Sequence, residues 1–437
     1  MRSVLISVAA LIISLAILLA GNSLQFVILA LRAETAGFSL TVIGAMTTAY
    51  YLGYGLGTLQ APNFVDRVGH IRAFAALSSI ISVLVLAHGL WANPYFWIAL
   101  RFIAGLCFAG LATVSDSWLN AKSTREVRGQ VLAIASIAAI GGYAVGPLFA
   151  SLGSVDGLHL FVTASILMSV ALVPITLTRF SAPYVSGEGT GVERYSLFRL
   201  FRETPFGVTG CFVTGLIQGS FLGLSAVIAG RMGLSDERVP MFVTGALIAG
   251  AIAQYPLGWI SDRIDRRVVV GGAVLVLGLA AFAVSMLFGL TGGTLPVILF
   301  AMAVGGIAAM PLYAIVIAHV NDRLTETSIV PAAATLILSF SIGSAVAGPI
   351  ASYSIQAYGT SGYYLFMGIS LVAFGIFALW RRTQRAAPEA SEDSSGVIAA
   401  TPALVPMDSE FDENQMWFDF DTDADAEPDT APAGQPS

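Results

Sequence analysis

Apolar runs about as long as a bilayer is thick follow one another along this chain from residue 4 to residue 380, separated by short polar stretches. Wound as a helix, each crossing of the hydrocarbon core takes about 20 apolar residues, and the pattern predicts twelve crossings. Six lie at 4–31, 39–62, 71–91, 96–117, 130–152 and 158–178; six more lie at 206–230, 239–260, 268–289, 295–320, 329–354 and 363–380. The longest interruption, 179–205, divides them into a first set within 1–178 and a second within 206–385. Inside that linker, Tyr195-Ser196-Leu197-Phe198-Arg199-Leu200-Phe201-Arg202 has the spacing of a short amphipathic helix lying along a membrane surface. Past residue 385 the apolar pattern stops, and 386–437 reads as a polar tail. The expected fold is all-α and polytopic, with two bundles of six transmembrane helices.

Composition supports a lipid solvent. With 56% hydrophobic and only 11% charged residues, and a mean hydropathy of +0.80, the 437-residue chain has too little polar surface to cover a soluble fold. Arg2 followed by an apolar run resembles a secretory leader. That run continues through Phe26-Val27-Ile28-Leu29-Ala30, so a retained first helix is the better reading. Cys107 and Cys211 lie in apolar runs without CxxC spacing and read as small buried hydrophobes; the four histidines are scattered, so no metal site is expected. The only lysine is Lys122, which leaves no phosphate-loop lysine and argues against ATP-driven work. No nucleic-acid partner and no enzymatic centre are expected, because no nucleophile–base pair stands out.

Charge then orients the chain. The net charge of −6 conceals an acidic tail: 386–437 carries 13 Asp or Glu and no basic residue, which leaves the rest at +7. Rich in Pro, Ala, Asp and Ser, the tail cannot bury enough surface to fold alone. A silent, solvating role is the first expectation for it; the acid–aromatic stretch Phe411 to Phe420 makes a docking motif for a cytosolic partner the alternative. Placing the N-terminus inside puts seventeen basic residues in inner segments, three (Arg32, Arg231, Arg238) in outer loops and Arg101 within a span. Positive-inside asymmetry therefore makes both termini cytoplasmic, in an inner or plasma membrane.

Two charged turns interrupt the runs at matching places, Asp66-Arg67-Val68-Gly69-His70-Ile71-Arg72 and Ser261-Asp262-Arg263-Ile264-Asp265-Arg266-Arg267, with Asp66 and Asp262 196 residues apart. An internal duplication in a nearly all-apolar chain suggests two halves moving about a central axis, the mechanics of a transporter. An aspartate at a helix start complements the helix dipole, and the arginines can pair with acids at neighbouring helix ends. Asp116 is the expected partner of Arg67 or Arg72, and Asp322 that of Arg263, Arg266 or Arg267. Such pairs would latch the inner rim when the cavity faces outward; plain positive-inside anchoring is the competing reading.

These turns resemble the Gly-x-x-x-Asp-Arg-x-Gly-Arg/Lys-Arg motif between helices 2–3 and 8–9 of the major facilitator superfamily. Departures are Pro62 for the leading glycine, His70 and Ile71 at basic positions, and Asp265 for the middle glycine of the second copy. Arg101-Phe102-Ile103-Ala104-Gly105 with Gly110 is similar to the superfamily's helix 4 motif, and Gly142-Tyr143-Ala144-Val145-Gly146-Pro147 to its helix 5 motif, here without the trailing glycine pair. Leu100 to Gly105, and Pro311-Leu312-Tyr313 with His319, resemble the YcaD-like branch. The resemblance implies a superfamily fold of two six-helix pseudo-repeats and alternating access. Coupling to protons rests on it alone, because no Asp or Glu sits deep in a span and His88 and His319 read as helix-end residues. The helix 5 motif leans toward export, and its incompleteness weakens that lean.

A site between the halves should lie at midplane. Polar and aromatic residues interrupting the apolar runs are its candidates: Asn22, Gln25, Tyr50, Tyr54, Tyr143, Gln218, Gln254 and Tyr313. Each has inter-helix bonding as its alternative. Arg101 joins them, since a charge within a span needs water or partners. It reads either as a contact for a substrate carboxylate or proton relay, or as a structural arginine; Asn22, Gln25 and Glu34 are its candidate acceptors. Gly105, Gly142, Gly146 with Pro147, and Gly348 with Pro349 are read as close-packing and bending positions, the two Gly-Pro steps 202 residues apart being a second mark of duplication. No cofactor is expected. The functional expectation is a monomeric, lipid-embedded secondary transporter of a small organic solute, export favoured. Metabolite uptake by a uniporter or symporter, and a non-transporting sensor or scaffold of the same fold, are the alternatives.

Overall fold

The computed structural model describes residues 2–121, 125–177, 195–324 and 326–384, and every regular element among them is helical. In the first half these are α1 (Arg2–Thr35), α2 (Leu40–Val68), α3 (His70–Leu90), α4 (Pro94–Ala121) and α5 (Arg125–Val145). A 3-10 segment (Gly146–Leu152), α6 (His159–Val170) and α7 (Leu172–Thr176) complete it. The short α8 (Leu197–Glu203) precedes α9 (Pro205–Arg231), α10 (Val239–Ser261), α11 (Arg266–Thr291), α12 (Leu295–Ala309), α13 (Pro311–Asn321), α14 (Glu326–Tyr358) and α15 (Thr360–Gln384). Lys122, Arg179, Arg194, Arg385, most of the 179–205 linker and the acidic tail lie outside the described residues.

Local chemistry sets several of these boundaries. Proline occupies the first turn of α9, α10, α12 and α13, where a missing N–H costs no helical bond. Ser39 caps α2 by accepting from the Val42 amide at 3.4 Å. Eleven helical segments among the described residues are long and apolar enough to cross a membrane. The twelfth expected crossing, α2, is 29 residues long but more polar, with Thr47, Thr48, Gln60, Asn63, Asp66 and Arg67 beside its tyrosines and glycines. Its sequence suits an interior rather than a lipid-facing position, and it packs between α4 of its own half and α14 of the other.

Helix pairing repeats between the halves. Contacts of α1 with α5, α2 with α4 and α3 with α6 are matched by α9 with α14, α10 with α12 and α11 with α15. Glycines make the closest approaches. A Cβ on Gly105 would run into the Tyr50 carbonyl of α2, on Gly142 and Gly146 into the Ala16 and Ala20 carbonyls of α1, and on Gly306 into the Ala246 carbonyl of α10. The membrane core of α9 is 94% buried and that of α1 83%, against 28% for α11, so α1 and α9 form the centre and α11 part of the rim. Exposed Val276, Leu279, Met286 and Leu290 on α11 suit a hydrocarbon solvent.

The halves meet through α2 against α14, through α10 against α5 and the 3-10 segment, and through α1 against α9. At the first of these crossings Gly348 and Gly44 touch backbone to backbone. The two Gly-Pro steps diverge: α5 ends at Val145 and tightens into the 3-10 segment from Gly146, whereas α14 runs unbroken through Gly348-Pro349. In the linker, α8 buries Leu200 and exposes Phe198 and Phe201, with the Arg202 guanidinium over the Phe198 ring.

Candidate functional site

Four of the nine expected midplane residues, Asn22, Tyr50, Tyr54 and Tyr143, gather around a fifth, Arg101. Asn22 and Phe26, four apart on one face of α1, meet Tyr50 of α2, which is four residues before Tyr54. The Arg101 guanidinium of α4 lies over two rings, 4.3 Å from the Phe26 centroid and 4.1 Å from that of Tyr50. Asn22 donates to the Tyr143 hydroxyl of α5 at 3.4 Å and lies beside the Tyr50 hydroxyl. Tyr50 stacks on Tyr54 at 6.3 Å and meets Tyr51 edge-on at 5.1 Å. Tyr51 in turn contacts Phe340 of α14, which contacts Tyr313 of α13, so the aromatic chain crosses from one half to the other.

This cluster is closed off and incompletely satisfied. Arg101 is 2% exposed and its Nη1 has no hydrogen-bond acceptor. Both amide atoms of Gln25, Asn22 Oδ1, Gln218 Oε1 and the Tyr313 hydroxyl are likewise buried without a partner. Cation–π contacts contribute about 2 kcal/mol when desolvated, well short of the cost of burying an unpaired charge. The arrangement therefore suits an acceptor brought to Arg101 and hydroxyl or amide groups brought to the glutamines. Gln218 on α9 and Gln254 on α10 are buried in the second half and make no hydrogen bond to the cluster.

Some expected pairings are not formed. Glu34 does not serve Arg101: its carboxylate accepts from Arg231 Nε at 2.9 Å, because it lies at the end of α1 beside the end of α9. Asp116 does not pair with Arg67 or Arg72, since both arginines are exposed whereas Asp116 is 4% exposed within α4. Its carboxyl instead lies within electrostatic reach of Tyr54 and Tyr313. Asp116 does lie in the last turns of α4, as expected, but it is buried there rather than at the surface. Asp66 is exposed beside Arg67 and makes no ion pair among the described residues.

The second charged turn is fully engaged. Arg266 donates to Asp322 at 2.7 Å and to Asp262 at 3.1 Å. Arg267, almost wholly buried, is held by both oxygens of Asp265 (2.7 and 3.1 Å) and reaches the Arg381 carbonyl at 3.3 Å. Arg263 lies over the Trp259 ring at 3.8 Å. All of these bonds stay within the second half. Among the described residues, Glu34 to Arg231, and Gln356 of α14 donating to Thr41 of α2 at 3.0 Å, join the halves at the opposite face. Phe26, Tyr51, Phe340 and the Glu34–Arg231 pair were not foreseen, although Phe26 is one helical turn from Asn22.

The profile of the Major Facilitator Superfamily matches residues 11–249 and again residues 208–420, which between them span nearly the whole chain. This chain belongs to the major facilitator superfamily. Within the superfamily it is similar to the YcaD-like branch. An uncharacterised MFS-type transporter YcaD of Escherichia fergusonii is 26% identical over 343 residues, covering 78% of this chain and 87% of the relative. A second uncharacterised MFS-type transporter, of Enterobacter sp., is 27% identical over 332 residues, covering 76% and 84%. Among solved structures the nucleoside transporter NupG has the same fold, with a TM-score of 0.70 at 13% identity, covering 85% of this chain and 98% of its own. A bacterial homologue of the lysosomal transporter Spinster, inward-facing and occupied, gives 0.66 at 16% identity, covering 86% and 94%. The superfamily assignment makes this a multi-pass membrane protein of a transporter family.

Proposed function

We propose that this chain is a secondary active transporter that carries a small organic solute by alternating access, in the direction of export, with its termini in the cytoplasm of an inner or plasma membrane. The observation that carries the reading is the buried polar and aromatic cluster around Arg101, with unpartnered atoms on Arg101, Gln25 and Asn22 in one half and an aromatic chain through Phe340 to Tyr313, whose hydroxyl is also unpartnered, in the other. Elements of both halves contribute, so a bound solute would gain different contacts as they rock, which is what couples binding to the change of state. Seventeen basic residues on the termini-bearing side against three opposite support the orientation. Proton coupling belongs to the same reading, with a transmembrane proton gradient as the driving force.

A thermal-shift screen of the detergent-purified protein against carboxylates, sugars, amino acids and amphiphilic cations, at two pH values, tests it. A ligand that binds only the folded state raises the unfolding temperature, and a coherent class of hits is expected, weakened about tenfold or more in affinity by Arg101→Gln. Hits that strengthen at one pH support proton linkage. The same ligands, loaded into proteoliposomes, should move only when the protein is present. Silence across the panel together with no flux overturns transport in favour of the sensor or scaffold reading.

A further inference from the structure

Two prolines, one in each half, remove a backbone donor at the crossings between halves. In α14 Pro349 has no N–H for the carbonyl four residues earlier, that of Ala345. In the first half the chain tightens into 3-10 periodicity at Gly146, where the expected donor is three residues on; for the Ala144 carbonyl that residue is Pro147, again without an N–H. A carbonyl left without a donor inside a membrane is costly.

Each of these carbonyls is met by a threonine from the other half. Thr48 Oγ1 of α2 donates to the Ala345 carbonyl at 2.6 Å, and Thr244 Oγ1 of α10 donates to the Ala144 carbonyl at 3.0 Å. Thr48 and Thr244 are 196 residues apart, the same offset as Asp66 and Asp262. Thr48 also lies 3.2 Å from its own Gly44 carbonyl, but the bond across the halves is the shorter. Gly44 and Gly348, touching backbone to backbone beside it, bring α2 close enough for a hydroxyl on a one-carbon stem to reach α14. Thr244 is 7% exposed and Thr48 half-buried, so water competes poorly for either bond.

We infer that Thr48 and Thr244 are a duplicated pair of positioning residues, each donating to the carbonyl that a proline frees in the opposite half, and that together they hold the face opposite the termini closed. The inference rests on the alternating-access reading. It adds which bonds must break for that face to open. When α2 slides from α14, Ala345 loses its donor, and the opened crevice supplies water in its place; the bond therefore favours the closed state without forbidding the open one.

The test is a distance measurement between spin labels at Ser154→Cys and Glu237→Cys, exposed positions at that face in the first and second halves, in the full chain in liposomes. Cys107 and Cys211 are buried and are expected to stay unlabelled. Thr48→Val and Thr244→Val should each raise the population of the longer distance on the order of tenfold, and Thr48→Ser should restore the wild-type distribution. Pro349→Ala returns a helical N–H to the Ala345 carbonyl, so Thr48→Val added to Pro349→Ala should shift the distribution far less than Thr48→Val does alone. An equal shift in both backgrounds, or none in either, overturns the pairing. A variant too unstable to insert is replaced by Thr48→Ser and Pro349→Ala compared through unfolding temperature, where the serine must remain wild-type-like. Should wild-type protein show one fixed distance and no flux in proteoliposomes, alternating access fails and the pair with it; two wild-type distances that Thr48→Val leaves unshifted defeat the pair alone.

Discussion

Asp265 does in the second charged turn what Gly69 does in the first. Gly69 turns the chain between α2 and α3 with a φ of 86°, a conformation that suits glycine. Asp265 takes an extended-like conformation instead, caps α11 by accepting from the Arg267 amide at 2.9 Å and grips the Arg267 guanidinium. Burial raises its carboxyl, but the hydrogen bonds and charge of Arg267 outweigh that and hold it below the ordinary aspartate value of 3.8. A lowered carboxyl stabilises the fold above its ordinary value and loses that contribution as pH falls through the folded one. Asp265→Asn should therefore destabilise by about 1–3 kcal/mol near neutral pH and flatten the acid limb. Unfolding temperatures of wild type and variant between neutral pH and pH 3 check it, and parallel acid limbs would refute it. The sequence showed Asp265 only as a departure from a motif, because a capping role depends on where the helix begins. It showed Arg101 as a costly charge, but not that two rings would flank it, since Phe26 is one apolar residue among many in its run.

At the scale of the element, α2 carries the clearest lesson. Its mixed polarity sets it apart from the other crossings, and it packs between two neighbours, α4 and α14, while Leu52, Leu56 and Phe64 stay exposed. Tyr50, Tyr51 and Tyr54 face the interior while Gly53, Gly57 and, from α4, Gly105 let two backbones touch. That contact makes Gly105→Ala a sharp probe, because its new methyl would meet the Tyr50 carbonyl and the helices would have to part. Overpacking of this kind costs about 1–3 kcal/mol. Gly141→Ala on α5 is the control: a Cβ there meets nothing within 4 Å, and removing a helical glycine should leave stability unchanged or raise it by about 0.5–1 kcal/mol. Unfolding temperatures of the two variants side by side separate steric contact from generic glycine loss; equal effects would remove the backbone contact from the account. The order of the crossings and most of their ends were legible to within a few residues because the apolar runs are long, although three expected spans divide, at Gly146, Ala171 and Met310. The different fates of the two Gly-Pro steps were not, since proline's cost is set by whatever donor the neighbouring helix brings to the freed carbonyl.

For the whole molecule, the charges that sequence reading put at one rim belong to two different jobs. The turns at Asp66 and Asp262 lie on the termini-bearing face, and the engaged one ties helices of a single half together. Among the described residues, the contacts between halves toward the opposite face are made by hydroxyls, an amide and one ion pair, none of which advertises itself as a motif. The acidic tail follows the last crossing in the sequence and is too polar to form a core, so deleting 386–437 should leave insertion and solute flux within about twofold of wild type; loss of flux on deletion would assign the tail a part in transport. The Glu34–Arg231 pair makes the stronger claim. Its side chains are 33% and 39% exposed, which limits it to roughly 0.2–1 kcal/mol, or up to about a fivefold change in a two-state ratio. Glu34→Gln should therefore favour opening of that face modestly in low salt, and hardly at all near 1 M salt, where screening acts over about 3 Å. The reversed pair Glu34→Arg with Arg231→Glu should recover closure. The spin-label distance across that face, followed over the salt series, reads all three. A salt-independent effect of Glu34→Gln would mean that the glutamate acts by packing or hydrogen bonding alone, and closure would then rest on the two threonines and the Gln356–Thr41 bond.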